Sequence, residues 1–470
     1  MADTPILGLS IDPKRAPALF EQIYQALRIR IIDGRFATGD RLPPTRKLAL
    51  ELGVSRSTIV AAYDQLIAEG FADARTGAGV LVSGMGAVER VAPPAPPPRT
   101  PPRQPTSVPI PFQPGLPDAR LFPYRQWAKV VARAARTCPQ ALVHMEHPFG
   151  DWNLRVEICR YLADWRGVQA SPDQVLITAG ATDALELCVR ALIAPGNGIY
   201  LEDPGYPPLR AFVDSLDIPA LNLKMDTHGG LPPKPKKGTT PANHLVVLTP
   251  SSQFPLGGVM PQARRNAFIA WAIQHNSWII EDDYDSEFRY SGRPIPAMAS
   301  LDGAGRTLYI GSFSKIFSTG LRLGFVVMPL HLITTFDDTL RRFGGKASIA
   351  PQRPLSMFME QGEYYRHIRR VRRIYGERRE VFIDLLQTHL ADLATFDDHK
   401  AGMQIAVQFP ETLNDVRLSE AAANAGLSCP ALSRYCASRS KLNGLLMGYC
   451  SFMPEEMRDA IKRLVQAINT

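Results

Sequence analysis

The sequence contains little cysteine and no long apolar run. Only six of its 470 residues are cysteines, and no two of them form a C-x-x-C pair. Scattered cysteines are typical of reduced thiols in a cytosolic protein and do not indicate a zinc site. No apolar segment approaches the roughly 20 residues that a membrane-spanning helix needs. We therefore expect a cytoplasmic protein without a metal site and without a membrane anchor.

The first residues, MADTPILGLSIDPKR, also lack the basic start and the long apolar core of a signal peptide. The formal net charge of +8 favours an anionic partner, provided that the positive charge is concentrated on one surface. Hydrophobic residues make up 45% of the chain and charged residues 21%, which is ordinary for a globular protein. A chain of this length is expected to form two or three domains.

Proline is concentrated in one segment. Half of residues 92–111 are proline, and such a run forms a semi-rigid spacer without a core of its own. We therefore predict a domain over residues 1–90, a linker over 91–112 and a second domain over 113–470. The second domain is expected to have a large part at about 150–330 and a small part in the rest.

The first domain is predicted to contain three helices and a hairpin. Apolar residues recur at helical spacing in 19–33, Thr45 is placed to cap a second helix, and Ser55 is placed to cap a third. Two short strands surround Thr-Gly-Ala-Gly in FADARTGAGVLVS, which is a hairpin signal. This order describes a winged helix-turn-helix, and a small three-helix bundle with solvated ends is the alternative.

The third predicted helix begins with one cation and two hydroxyls, which a recognition helix needs for phosphates and base edges. Residues 39–82, GDRLPPTRKLALELGVSRSTIVAAYDQLIAEGFADARTGAGVLV, resemble the GntR-type winged-helix domain over nearly its whole length. The resemblance implies that the partner is double-stranded DNA. The contacts that it implies are Arg46, Arg56, Ser57 and Thr58, with Arg75 and Gly77 in the wing.

The second domain alternates between β-rich and helical segments, and the β-rich segments end in polar residues. They cover 174–180, 198–206, 244–251, 277–284, 307–315 and 324–329. This alternation predicts a largely parallel α/β sheet, which binds its ligand at the carboxyl ends of the strands. The polar residues that follow the strands are therefore the site candidates.

One lysine, Lys315, follows a predicted strand in GSFSKIFSTGLRLGF, and a buried lysine needs a partner or a chemical role. Pyridoxal 5'-phosphate requires an amine for its aldehyde, a carboxylate for its pyridine nitrogen and a phenol for its ring oxygen. Lys315, Asp282 and Tyr284 supply these groups at successive strand ends. Each group alone also has an ordinary structural explanation, but their combination indicates this cofactor.

Residues 115–450 resemble a fold-type I, aspartate-aminotransferase-like enzyme, most densely in DPGYP, TPSSQFPLGG, EDDYDSEFRY and SFSKIFSTGLRLGF. The resemblance implies that Lys315 is the Schiff-base lysine, Asp282 the pyridine partner and Tyr284 the ring-oxygen donor. It also implies that Tyr206 stacks on the ring. The phosphate ligands that it implies are Ala181, Thr182, Ser312, Ser314 and Arg322.

The whole chain is thus expected to be a multi-domain protein, with an N-terminal winged helix-turn-helix and an α/β fold-type I aminotransferase-like domain. This order, joined by a proline-rich linker, resembles the MocR-type regulators. The resemblance implies a head-to-tail homodimer that couples a cofactor-bound sensor to DNA binding and is not an enzyme. An active aminotransferase that also binds DNA is the first alternative, and a binding module without a cofactor is the second.

Three positions depart from the aminotransferase pattern. Ser252 stands where the family commonly has histidine, and Gln253 is the candidate to replace the asparagine of Asn-Pro-x-Gly. Met145 stands where a tyrosine usually reaches a phosphate of the neighbouring subunit.

A fourth departure concerns the group that binds a substrate carboxylate. Many aminotransferases have an arginine for this in the region that here reads NGLLMGYCSF, residues 443–452. Arg434 and Arg439 are the nearest candidates to replace it. The absence argues against net transamination and favours pyridoxal 5'-phosphate itself as the signal, with an amine or amino acid as the alternative effector.

The segment YYRHIRRVRRIYGERR, residues 364–379, carries seven arginines and one glutamate. Arginine-dense segments of this kind are typical of the MocR-type family. The ordinary interpretation is a solvated helix or a subunit contact, and the alternative is a surface that follows flanking DNA.

Overall fold

The computed structural model describes residues 11–12, 16–84, 109–144, 146–194, 196–234, 244–292, 294–437 and 442–469. The chain separates into two compact units, Met1–Pro105 and Thr106–Thr470. Most of the proline-rich linker lies outside the described residues, as do Met145 and Arg439. Among the helices that are described, none has the length and hydropathy that a bilayer crossing requires.

The first unit contains three helices and a two-stranded hairpin. They are α1 (Leu19–Ile32), α2 (Thr45–Leu52), α3 (Arg56–Ala68), β1 (Ala72–Arg75) and β2 (Gly79–Val82). The strands pair antiparallel, with Ala72 opposite Val82. The apolar faces of the helices and the hairpin enclose one core around Ile23, Leu27 and Leu66. The predicted winged helix-turn-helix is confirmed.

The two predicted helix caps have different outcomes. Ser55 caps α3, because its side chain accepts a hydrogen bond from the backbone N–H of Thr58 at 3.1 Å. The prediction that Thr45 caps α2 is wrong, because the helix begins at Thr45 itself and Pro44 precedes it without a side-chain cap. The Thr45 hydroxyl instead accepts a hydrogen bond from Arg56 Nε at 3.3 Å.

The second unit alternates strands and helices around two sheets and one small hairpin. Its helices are α4 (Tyr124–Thr137), α5 (Gln140–Val143), α6 (Trp152–Arg166), α7 (Ala181–Leu192), α8 (Pro207–Ser215), α9 (Gln262–Gln274), α10 (Met298–Leu301), α11 (Ile333–Phe343), α12 (Gln352–Glu360), α13 (Glu363–Leu390), α14 (Asp415–Asn424) and α15 (Pro454–Asn469). Its strands are β3 (Val175–Thr178), β4 (Ile199–Leu201), β5 (Ala220–Asn222), β6 (Met225–Asp226), β7 (Gly229–Gly230), β8 (Leu245–Leu248), β9 (Trp278–Asp283), β10 (Thr307–Ser312), β11 (Gly324–Val327), β12 (Thr395–Phe396), β13 (Gln404–Gln408) and β14 (Gly444–Gly448).

The central sheet has seven strands in the order β3-β11-β10-β9-β8-β4-β5. Strand β11 is antiparallel to both of its neighbours, and the other neighbouring pairs are parallel. The strands are buried because apolar residues cover both faces: Tyr309 of β10 packs in one core, while Leu308 and Ile310 pack in the other. The predicted largely parallel sheet is confirmed, and its parallel strands end at one common edge.

A smaller antiparallel sheet, β12-β13-β14, lies near the carboxyl terminus of the unit. Alternate residues of β14 face opposite sides, as in any strand. Leu445 and Met447 join the large core, whereas Leu446 packs with Ala406 and Leu432 in a separate apolar cluster. This alternation decides which residue of β14 faces the site described below.

The arginine-dense segment lies on α13, and two of its arginines are buried. Arg378 donates to the Asp118 carboxylate at 2.8 Å and to the Cys450 carbonyl, and Arg379 forms an ion pair with Asp398. Burial would raise the pKa of Asp118, but hydrogen bonds from Arg120 and Arg378 hold it below its ordinary value. The ordinary interpretation as a fully solvated helix is therefore incomplete.

We predict that Arg378→Met lowers the free energy of unfolding of the second unit by about 3–5 kcal/mol, because it leaves the buried Asp118 carboxylate without its buried partner. The matched control is Arg373→Met on the same helix, whose ion pair with Glu377 is exposed. It should cost no more than about 1 kcal/mol. Urea unfolding of the two variants measures both values, and equal losses would contradict the structural role of Arg378.

Candidate cofactor site and DNA-binding surface

A cavity of about 920 Å³ lies at the carboxyl ends of the parallel strands of the second unit. It forms there because the loops that follow these strands reach the same edge of the sheet. The predicted site residues that line it are Ala181, Thr182, Tyr206, Asp282, Tyr284, Ser312, Ser314, Lys315 and Arg322. The structure thus brings together nine of the ten residues predicted to bind the cofactor.

Lys315 follows β10 and points its amine into this cavity. Its Nζ donates to the backbone carbonyl of Gly115 at 2.7 Å. Burial lowers the pKa of Lys315, although the Asp285 and Asp282 carboxylates act in the opposite direction. A lowered pKa favours the neutral amine, which is the nucleophilic form.

Asp282 is the buried acid of the site. The residue is 8% exposed, and its Oδ1 is buried without a hydrogen-bond partner among the described residues. Burial, together with the neighbouring Asp283, raises the pKa of Asp282 to about 7. A buried acceptor without a donor is uncommon in a folded protein, so this oxygen fits a ligand that brings an N–H group.

Arg166, at the end of α6, holds the strand that carries Asp282. Its Nε lies 2.8 Å from Asp283 Oδ2, and its Nη2 donates to Ser251 at 2.6 Å. Glu281 accepts hydrogen bonds from two backbone N–H groups of α10 and lies 3.8 Å from Arg166 Nη2. Residues 281 and 283 are therefore paired on one face of β9, and Asp282 is left unpaired on the other.

Two of the phenols that line the cavity belong to the predicted site residues Tyr284 and Tyr206. The hydroxyl of Tyr284 lies 3.2 Å from Ser252 Oγ, so Ser252 bonds this phenol at the position where the family commonly has histidine. Burial raises the pKa of Tyr284 well above its ordinary value, which keeps the phenol a donor. The hydroxyl of Tyr206 lies 3.2 Å from Thr182 Oγ1, and its ring is 36% exposed.

The residues predicted to bind a phosphate meet at the start of α7 and after β10. Ala181 and Thr182 open α7, and the first N–H groups of a helix have no partner within the helix. Ser312 Oγ accepts from the Ser314 backbone N–H at 3.1 Å, and the exposed Arg322 lines the same wall. Helix N–H groups, hydroxyls and a guanidinium form an anion site.

Gln253 is the one predicted cofactor residue that does not line the cavity. Its Nε2 donates to the Pro204 and Phe254 carbonyls at 2.9 and 2.6 Å, and its Oε1 accepts from the Leu256 N–H at 3.2 Å. The amide is therefore used to hold the turn that follows β8. The assignment of Gln253 to the cofactor is corrected accordingly.

The structure also places residues in the cavity wall that sequence reasoning missed. Gly115 comes from the start of the second unit, and Gln404 comes from β13 of the small sheet. Gln404 Nε2 is buried and has no hydrogen-bond partner in the part of the chain that is described. No strand-end signal marks these residues, because neither belongs to the parallel sheet.

One end of the cavity is apolar. Leu446, fully buried on β14, lines it together with Phe254 and Tyr435. Leu446 lies in the region where many aminotransferases have the arginine for a substrate carboxylate. Arg434 is exposed and lines an adjoining cavity of about 220 Å³ instead.

The first unit exposes the residues predicted to contact DNA. Arg46, Arg56 and Ser57 are exposed, and so are Arg75 and Gly77 at the hairpin. Thr58 is half-buried, and its hydroxyl lies 2.7 Å from Ser55 Oγ in the helix cap. Arg56 and Ser57 are therefore exposed at the first turn of α3, where the Arg56 guanidinium contacts Thr45 of α2 and the Ser57 hydroxyl lies 2.7 Å from Ser55 Oγ.

Metal chemistry has no matching site in the described residues. No group of three or more His, Cys, Asp or Glu side chains among them is arranged to hold a metal ion. The six cysteines, all within the described ranges, carry free thiols.

Two known families match the chain. The family described as bacterial regulatory proteins, gntR family, matches residues 19–82. The family described as aminotransferase class I and II matches residues 120–464.

Curated relatives are similar over nearly the whole chain. The probable rhizopine catabolism regulatory protein MocR of Rhizobium meliloti is 35% identical, covering 98% of this chain and 95% of the relative. The HTH-type pyridoxine biosynthesis transcriptional regulator PdxR of Corynebacterium glutamicum is 30% identical over 100% and 99%. The HTH-type transcriptional regulator TauR of Rhodobacter capsulatus is 30% identical over 99% of both chains.

Solved structures match the second unit. A kynurenine aminotransferase of Pyrococcus horikoshii has a TM-score of 0.69 and 24% identity, covering 77% of this chain and 91% of the other. A multiple substrate aminotransferase of Thermococcus profundus has a TM-score of 0.69 and 25% identity, with coverage of 77% and 92%. With the relatives that share both units, these matches lead to one conclusion: the chain belongs to the MocR-type branch of the GntR transcriptional regulators, which joins a winged helix-turn-helix to a fold-type I aminotransferase-like domain.

Proposed function

We propose that this regulator binds pyridoxal 5'-phosphate in the cavity of its second unit and uses the site to sense a small molecule. One observation carries the proposal: the Lys315 amine, the unpartnered Asp282 carboxylate and the Tyr284 phenol surround one cavity at the strand ends. The exposed first turn of α3 supplies the DNA-binding function of the same chain.

The roles of the residues follow from the chemistry of their side chains. When bound, pyridoxal 5'-phosphate supplies an aldehyde that condenses with amines. Lys315 is the attachment point, Asp282 accepts the hydrogen bond of the pyridine N–H, and Tyr284 donates to the ring oxygen. Tyr206 covers the ring. The phosphate ligands are Ala181, Thr182, Ser312, Ser314 and Arg322.

The apolar end of the cavity supports a sensor without net transamination. A substrate carboxylate beside Leu446 would lose its hydration without gaining a cation, which costs several kcal/mol. An amino acid would then not be held in register for turnover. The active aminotransferase that also binds DNA remains the second candidate, since Lys346 and Arg322 line other parts of the wall.

The residues of the cavity wall also favour one effector over another. Pyridoxal 5'-phosphate itself has groups that match the amine, the acid, the phenol and the anion site of the cavity, so we propose it as the signal, with an amine or amino acid as the alternative. The relatives named above are regulators named for different compounds, and their names do not choose between these effectors. We also propose a head-to-tail homodimer, as the family resemblance implies, acting on a double-stranded DNA operator.

The covalent prediction concerns Lys315. Purified protein loaded with pyridoxal 5'-phosphate should show a near-visible absorption band, and Lys315→Ala should abolish it, because the amine that binds the aldehyde is gone. Borohydride reduction followed by peptide mass spectrometry should find the adduct on Lys315. An adduct on Lys346, a second lysine in the described wall of the cavity, would contradict the assignment.

The same loaded protein separates the two candidate functions. Given an amino acid and a keto acid, it should show no sustained turnover, whereas the active aminotransferase would convert both continuously. A loaded protein that turns over would leave the Lys315 assignment intact and overturn the sensor.

A further prediction concerns the pH dependence of stability that Asp282 causes in the cofactor-free protein. Its folded pKa of about 7 lies above the ordinary value for aspartate, so ionising it in the folded state costs stability. The cost is absent at pH values below about 4, grows as the pH rises and is complete above about 7. Asp282→Asn should therefore raise the thermal midpoint more at pH 8 than at pH 5, and it should weaken cofactor binding.

The matched control is Asp283→Asn, on the next residue of the same strand. Its carboxylate is paired with Arg166 and accepts from the Tyr309 hydroxyl at 2.5 Å, so this variant should be destabilised at both pH values. Thermal unfolding of the two cofactor-free variants gives the comparison. A stabilisation by Asp282→Asn that does not depend on pH would argue against a buried ionisable acid.

The third prediction concerns DNA. Arg56→Ala should weaken operator binding by roughly 1–3 kcal/mol, because the exposed guanidinium at the first turn of α3 is lost. Electrophoretic shift on DNA upstream of the gene measures the change, with the exposed Arg35→Ala as the control of equal charge. The cofactor band should be the same in both variants. An unchanged footprint of Arg56→Ala would remove α3 from recognition.

A further inference from the structure

The first described residues of the second unit, 109–118, form a segment that we call the strap. It passes the wall of the cofactor cavity. In the sequence these residues overlap the end of the proline-rich segment, residues 92–111, that comes after the DNA-binding unit. Pro114 and Gly115 of this strap line the cavity wall. The strap therefore adjoins the linker in sequence and the cofactor cavity in space.

Anchors hold the strap on both sides of the cavity. On the linker side, the Pro111 carbonyl accepts from the Ser428 N–H at 2.9 Å, and the Phe112 carbonyl accepts from the Gly448 N–H at 2.8 Å. On the other side, the Asp118 N–H donates to Tyr375 at 2.9 Å. Between these anchors, the Leu116 carbonyl directly after Gly115 accepts a hydrogen bond from Ser451 Oγ at 2.7 Å.

The backbone around the strap shows how closely it is packed. A Cβ on Gly448 would lie 2.2 Å from the Gln113 carbonyl, so the strap rests directly on β14. Phe112 has a φ of +67°, uncommon for a residue with a side chain, and is held by burial against Phe382 at 5.5 Å between ring centroids. Such a conformation persists only while the surrounding contacts hold it.

The contact at the centre of the strap is the hydrogen bond from Lys315 Nζ to the Gly115 carbonyl. Gly115 has a φ of +65°, and a Cβ at this position would lie 2.7 Å from Lys315 Nζ. Glycine therefore favours this backbone conformation and leaves room for the amine, which would have to shift if a Cβ were present.

Covalent capture of an aldehyde removes this hydrogen bond. The nitrogen of a neutral primary amine forms a double bond to the aldehyde carbon, and its two hydrogens leave with the aldehyde oxygen as one water molecule. The nitrogen then has no N–H for the Gly115 carbonyl. If it is protonated again, the ring oxygen of the cofactor would compete with the Gly115 carbonyl for its single N–H.

We propose that the Lys315–Gly115 hydrogen bond couples the chemical state of Lys315 to the order of the strap, residues 109–118, and so to the linker that continues from it. The strap is held while Lys315 is a free amine and is released when Lys315 is bonded to the cofactor. An effector amine that displaces Lys315 restores the free amine and the bond. This regulation rests on the proposed cofactor function.

Hydrogen exchange of the full-length protein, without cofactor and saturated with pyridoxal 5'-phosphate, tests the proposal. Peptides that cover 109–118, and the amides of Ser428 and Gly448 that donate to the strap, should exchange roughly tenfold faster in the loaded protein. Lys315→Ala should exchange at the faster rate with and without cofactor, because it lacks the donor.

A second variant imitates the released state without removing the lysine. Gly115→Ala should show fast exchange of the strap already in the cofactor-free protein, because its Cβ excludes the amine. The matched control is Gly344→Ala, where φ is +74° and a Cβ would meet nothing within 4 Å. It also places a side chain at a positive φ but without the contact to Lys315, and its strap should exchange as in the unmodified protein.

Two results would overturn the proposal. The first is that the strap exchanges hydrogen at the same rate with and without cofactor, in a protein whose absorption band shows full loading. The second is that the strap exchanges hydrogen slowly in cofactor-free Lys315→Ala. A missing absorption band would instead mark the failure of the cofactor function, so the two failures are distinguishable.

Discussion

The ion pair of the buried Arg166 with Asp283 is the interaction on which the cofactor site depends. A buried guanidinium needs partners for its charge and its N–H groups, and here the partners include the acidic residues on one face of the end of β9. Side chains alternate along a strand, so pairing residues 281 and 283 with Arg166 turns Asp282 to the opposite face. The cavity thereby receives one buried carboxylate oxygen without a donor, at the position that a protonated ring nitrogen can fill.

The polar and the apolar lining residues of the cavity suit different functions of the same fold. The polar end has the amine, carboxylate, phenol and anion site of an enzyme of the aminotransferase type. Another part of the wall contains Leu446, which packs with Ala406 and Leu432 in an apolar cluster. The sensor proposed above follows from this combination of residues, and the relatives carry the names of regulators.

The sequence correctly predicted which residues meet at the strand ends. Lys315, Asp282 and Tyr284 follow strands of one parallel sheet, and the ends of such strands must meet. It failed for Gln253 and Thr45, because each side chain has a nearby competitor for its hydrogen bonds: backbone carbonyls for Gln253 and the Arg56 guanidinium for Thr45. Local spacing does not reveal which of two available partners a polar side chain will take.

The sequence by itself determined the two folded units, the strands that the reactive residues follow, and the family. Hydrophobic periodicity, turn residues and long motifs are local properties and can be read from the sequence. Only the tertiary structure decided that Gly115 and Gln404 reach the cavity, that Leu446 and not its neighbours forms the apolar wall, and that Arg378 is buried. These outcomes depend on contacts between residues hundreds of positions apart, such as Gly115 with Lys315. Packing density selects such contacts, and no pattern within one segment encodes them.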